Sequence, residues 1–188
     1  MSDSDRPIFY RSSGLIVGTY LPSEDDLSHG VLITEQGLFP ATVNEQILRF
    51  LTRNPKKKTI KRKHPFICFV AGLTKPPYYQ FYLIGRKGKR TKNKLFRRPN
   101  RFLTQGIVTQ RSPEKVILRV QKNLTPERTS QEIEESINYV EIRGCPGQVR
   151  SSQFWLLRSN LKEDGFLHYH SGELLAKAKV AKSYLKIP

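Results

Sequence analysis

Lysine and arginine are the residues of this chain whose number and spacing most clearly set up chemistry. Residues 56–63 read KKKTIKRK, with Lys56, Lys57, Lys58, Lys61, Arg62 and Lys63 basic at six of eight positions. Residues 86–101 read RKGKRTKNKLFRRPNR, with Arg86, Lys87, Lys89, Arg90, Lys92, Lys94, Arg97, Arg98 and Arg101 basic at nine of sixteen. Such side chains neutralise phosphates and release the counterions condensed on a nucleic-acid backbone. Like charges at this density repel one another, so packing does not favour them. Gly88, Asn93, Pro99 and Asn100 mark the second run as loop. Neither run has the apolar face of a membrane-surface helix.

The charge is placed, not spread. The 188 residues carry a formal +17, with 33 Lys+Arg against 16 Asp+Glu. Residues 1–55 hold 4 basic and 7 acidic residues, 56–128 hold 21 and 2, and 129–188 hold 8 and 7. The middle of the chain therefore supplies the whole excess. Solubility alone does not require that, whereas a phosphate backbone is the natural partner for such a field. Arg111, Lys115 and Arg119, further along the same segment, are expected to extend the patch.

Aromatic residues lie beside this charge. In the segment 78–84, YYQFYLI, strand alternation puts Tyr78, Gln80, Tyr82 and Ile84 on one face and Tyr79, Phe81 and Leu83 on the other. The first face is the more polar. Tyr78 and Tyr82 are therefore candidates for base stacking, worth ~1–3 kcal/mol per base. The alternative is tyrosines half-buried in a barrel with wet hydroxyls. Phe96, inside the second run, is expected to anchor its loop to the body or to meet a ligand.

Signs of catalysis are sparse. The chain has no G-x-S-x-G elbow, phosphate-binding GxxxxGK[ST] loop, H-E-x-x-H or paired CxxC. Cys145, between Gly144 and Pro146, reads as an exposed turn thiol with no histidine near it in sequence. A nucleophilic thiol needs an activating base or an electropositive setting. His168 and His170 share a strand face but lack a third metal ligand. Glu24, Asp25 and Asp26 offer three carboxylates in a turn, the raw material of a metal-dependent nuclease, but no second acidic cluster accompanies them. No catalytic residue, metal site or cofactor is assigned.

These side chains must be carried by strands. Gly14–Leu21, Gly30–Thr34 and Leu38–Ala41 read as a meander, and Asn44 caps a helix from Glu45 to Arg53 with Ile47, Leu48 and Leu51 on one face. Pro65–Gly72 reads as a buried strand and Tyr78–Gly85 as its hairpin partner. Phe102–Gln110 follows, with Gly106 as a bulge or bend, and then Lys115–Gln121. A capping box at Thr129 and Glu132 starts a short acidic helix to about Ile137. Strands Tyr139–Arg143, Phe154–Arg158 and Phe166–His170 complete the pattern, the last two around the Asp164-Gly165 turn. The tail from Glu173 favours helix by propensity, with an added strand as the alternative over 172–188. No internal repeat is visible.

Strand signals every 8–12 residues point to a mainly β protein with minor α. It reads as a small antiparallel β-barrel that resembles an OB-fold, with two or three short helices and long basic loops, in one domain spanning 1–188. The expected function is non-catalytic binding of nucleic acid, single-stranded or structured RNA first and single-stranded DNA second. The alternatives are an adaptor or assembly subunit of a larger nucleoprotein complex and a metal-dependent nuclease. No membrane partner is expected. The acidic, polar start of the chain is unlike a signal peptide, so a cytoplasmic location is expected, with nucleoid or nucleus as variants.

Overall fold

Alternation along each strand decides which side chains meet inside. In the computed structural model, which describes residues 11–53, 62–88, 98–121 and 137–176, ten strands and one helix follow one another. They are β1 (Arg11–Pro22), β2 (His29–Thr34), β3 (Gly37–Val43), α1 (Glu45–Thr52), β4 (His64–Gly72), β5 (Tyr79–Arg86), β6 (Arg101–Arg111), β7 (Lys115–Gln121), β8 (Ile137–Arg143), β9 (Phe154–Leu161) and β10 (Leu167–Ala176).

The first five strands close on themselves. β1 pairs antiparallel with β2 and β4, β2 with β3, and β4 with β5, while β3 and β5 pair parallel at Ala41↔Phe81 through Val43↔Leu83. Helix α1 bridges β3 and β4, so the expected OB-like barrel is present. Asn44 caps α1 by accepting the Ile47 N–H at 2.9 Å, and Ile47 and Leu51 are buried beneath it.

The same pairing order then recurs. β6 pairs antiparallel with β7 and β9, β7 with β8, and β9 with β10, while β8 meets β10 in parallel at His168↔Arg143. Residues 144–153 form turns where the first ring has a helix. The chain thus builds one connectivity twice without an evident sequence repeat, because pairing order depends on alternation and turn placement, not on residue identity. β1 and β6 join the rings antiparallel about Ser13↔Leu103, with Arg11↔Gln105 and Leu15↔Arg101 placed symmetrically on either side.

A single apolar core runs through both rings. Phe81 sits edge-on to Phe39 at 5.1 Å and 5.9 Å from Phe102 of the second ring. At the seam, Ser12 Oγ and Thr104 Oγ1 share a buried hydrogen bond of 2.8 Å. The Tyr79 hydroxyl donates to the Glu141 carbonyl at 2.7 Å and accepts the Leu167 N–H at 3.2 Å, tying β5 to β8 and β10. Burial raises its pKa, so it stays protonated for that role.

Several expectations change. Among the described residues α1 is the one helix, and it ends at Thr52 with Arg53 as its C-cap. Ile137 opens strand β8, and the rest of the expected acidic helix lies outside the described residues. Gly172–Ala176 extends β10 as strand, so the added-strand alternative holds there, and 177–188 lie outside the described residues. The register irregularity of β6 falls between Val108 and Gln110, not at Gly106. Gly106 instead allows a close approach, since a Cβ there would sit 2.3 Å from the Arg119 carbonyl oxygen.

Candidate nucleic-acid interface

Register brings the two basic runs together. The first run ends where β4 begins, and the second starts where β5 ends. β4 and β5 are neighbours, with Phe66 opposite Arg86 and the Lys87 N–H donating to the Pro65 carbonyl at 3.0 Å. The second run returns to the sheet at β6. There Asn100, in the left-handed region at φ 60°, donates its N–H to the Leu15 carbonyl at 2.7 Å. One rung, Gly85–Ile67–Leu15–Arg101, crosses β5, β4, β1 and β6 at this level. Three strand spacings of about 4.8 Å put the ends of the second run roughly 14 Å apart, with the end of the first beside them.

Arg62, Lys63, Arg86, Lys87, Arg98 and Arg101 are the described members of this cluster. Lys56, Lys57, Lys58, Lys61, Lys89, Arg90, Lys92, Lys94, Arg97 and Phe96 lie outside the described residues. Lys63 pairs with Glu35 at 3.1 Å, both exposed, and such pairs contribute little. The Arg86 guanidinium lies 3.6 Å above the Phe50 ring of α1, and Phe50 in turn meets His64 edge-on at 5.5 Å. The helix therefore supplies a floor that holds Arg86 without neutralising it.

A second rung on the outer face runs Thr42–Tyr82–Phe69–Ser13–Leu103–Arg158, across both rings. Tyr82 is 38% exposed, Phe69 and Leu103 are half-buried and Arg158 is exposed, while Ser13 at the seam between the rings is buried. Alternation thus separates Tyr82 from its buried neighbours Phe81 and Leu83 as expected. Tyr78 does not join it. It precedes β5 and packs its ring 4.8 Å from that of Phe166.

Phe69, Arg158 and Phe50 are contributions that sequence reasoning missed. β4 reads as wholly apolar, yet its burial alternates, leaving Pro65, Ile67 and Phe69 half-exposed on the outer face. Its apolar residues on both faces hid that period. Arg158 is the exposed polar position directly after the apolar run Phe154 to Leu157, which was the available signal.

Arg111 and Lys115 do not extend the cluster. They sit at the opposite end of β6–β7, about 33 Å along the strand from Arg101 at ~3.3 Å per residue. Arg111 donates to the Gly147 carbonyl at 2.7 Å, and Lys115 pairs with Glu141 at 2.7 Å. Arg119 stands opposite Ile107 and Tyr139, about 20 Å along β6 from Arg101 at ~3.3 Å per residue.

The other candidate chemistry is committed elsewhere. Asp26 accepts the Ser28 hydroxyl and N–H at 2.7 and 2.8 Å and pairs with His29 at 2.7 Å. These hydrogen bonds, those of Ser28 first, hold its carboxyl down to about 2. Cys145 is buried, contrary to the exposed turn thiol expected. Its thiol donates to the Ile142 carbonyl, and desolvation pushes it up to about 12. A register shift between Tyr169 and Ser171 interrupts the strand at His170, while His168 meets Asp164 at 2.8 Å. Among the described residues, no group of three His, Cys, Asp or Glu is placed to hold a metal, and no helix is long and apolar enough to cross a membrane. No protein-family model, curated protein or solved structure matches the chain.

Proposed function

We propose that the protein binds single-stranded nucleic acid, RNA in preference to DNA, through phosphate contacts from the convergent basic runs and base stacking on the outer rung. The observation that carries this reading is the register that draws Arg62, Lys63, Arg86, Lys87, Arg98 and Arg101 to one region beside Tyr82 and Phe69. Cations alone fit any polyanion. Aromatic faces beside them favour unpaired bases, whose π-faces are free. A duplex reader would instead place its basic residues on a recognition helix, and these stand on strand ends and loops. Arg101 and Arg158 carry the track from the first ring onto the second.

The test is Tyr82→Ala. Losing one stacking base costs ~1–3 kcal/mol, or roughly 5- to 150-fold in affinity for a single strand. Affinity for duplex of the same length is expected to stay within about twofold. Filter binding on matched single- and double-stranded RNA and DNA reads both. Equal loss on single strand and duplex removes the stacking element of the proposal.

A further inference from the structure

On the first ring three strands turn an apolar face to solvent, and at one end of it Lys63 pairs with Glu35 in the turn between β2 and β3. The outward residues of β1, β2 and β3 form two rungs, Leu21–Val31–Pro40 and Thr19–Ile33–Leu38. Leu21 is 41% exposed, Val31 39%, Ile33 36% and Leu38 61%. Their strand neighbours Tyr20, Leu32, Phe39 and Ala41 fill the core, so the outward set contributes nothing to the interior. Single exposed apolar residues are ordinary, but contiguous ones mark contact surfaces. Leu27, in the loop between β1 and β2, is also exposed, and its carbonyl accepts the Tyr20 hydroxyl at 3.0 Å. The same loop carries Glu24, Asp25 and Asp26, of which only Asp26 is ion-paired among the described residues.

Charge selects the occupant. At the end of the face next to the β1–β2 loop these carboxylates would repel a nucleic acid or an anionic headgroup, and a second copy of this face would bring acid against acid there. Strand addition along Gly37–Pro40, the part of β3 ahead of its pairing with β5, is hindered because Pro40 has no N–H to give. Three strands span about 10 Å, the width of one helix. We infer that this face docks a basic amphipathic helix of a partner protein, its leucine-type side chains on the two rungs and its Lys or Arg against Glu24 and Asp25. This inference does not rest on nucleic-acid binding. Together the two surfaces would make the protein a bridge between a nucleic acid and a protein partner.

The probe is a fluorescent 14-residue Leu/Lys amphipathic helical peptide, read by anisotropy with the full chain at low salt, beside a Leu/Glu peptide of the same pattern. The Leu/Lys peptide is expected to bind more tightly, although the protein as a whole is strongly cationic. A V31T/I33T/L38S variant, which keeps strand-compatible residues at two of the three positions, is expected to lose at least about 10-fold, as removal of buried apolar groups implies. E24Q/D25N is expected to weaken the Leu/Lys peptide alone, and because it alters only an exposed turn it remains informative if the triple variant fails to fold. Oligonucleotide binding is expected to be unchanged in both variants, which separates this site from the basic one. Absence of Leu/Lys binding, equal or tighter Leu/Glu binding, or full affinity in folded variants overturns the inference. Leu38-dependent dimerisation in sedimentation would do the same, by making a second copy the occupant.

Discussion

Replacing Arg86, Lys87, Lys89 and Arg90 together with glutamine is expected to weaken oligonucleotide binding about 100-fold near physiological salt, whatever the sequence. Each phosphate contact on a single strand adds ~0.7 to the salt slope, so four lost contacts lower the slope by about 3. At ~0.15 M salt the same contacts account for roughly two decades of affinity. The fold should tolerate the change. Arg86 packs over Phe50, and an exposed cation–π contact contributes ~0.5–1 kcal/mol. Filter binding across a salt series, with thermal melting as the folding control, measures both effects. An unchanged slope in a folded variant would place the phosphate contacts elsewhere.

Gly72→Ala is expected to destabilise the protein by about 3 kcal/mol or more, at the upper end of single substitutions. A Cβ at Gly72 would lie 1.6 Å from the Tyr139 carbonyl oxygen and 2.8 Å from its carbon. Both are backbone atoms, so no side chain can swing aside. The end of β4 must move away from the start of β8, and the nearby Tyr79 bonds to Glu141 and Leu167 are strained with it. For a chain of this length the midpoint should fall by roughly 6–12 °C. Gly85→Ala is the matched control, with nothing within 4 Å of its added Cβ and an expected effect within about 0.5 kcal/mol. Calorimetry on the two variants tests whether the rings are locked together at this point.

What could be read in the sequence was what depends on neighbours along the chain. Alternation in 79–84 separated Tyr82 from Phe81 and Leu83, and Asn44 was recognisable as a cap because its partner is only three residues on. The barrel followed from many short strands at regular spacing. What could not be read depends on register. No local signal says that Phe69 faces outward, that Ser13 lies opposite Leu103, or that the strands after Arg101 repeat the earlier pairing order. Arg111 and Lys115 looked like an extension of the charge because they follow it in sequence, but the length of β6 carries them away. Cys145 looked exposed because turns usually are, yet this one folds back over the second ring.

The most direct test of the central claim is the affinity for single-stranded and double-stranded RNA and DNA oligonucleotides measured at 50 and 200 mM salt. If ~6–10 phosphates are contacted, single-strand affinity should fall by roughly 300- to 16,000-fold between the two conditions, at ~0.7 of slope per phosphate. Single-stranded RNA should bind most tightly at each. A shallow salt dependence, or duplex bound as tightly as single strand, would contradict the account.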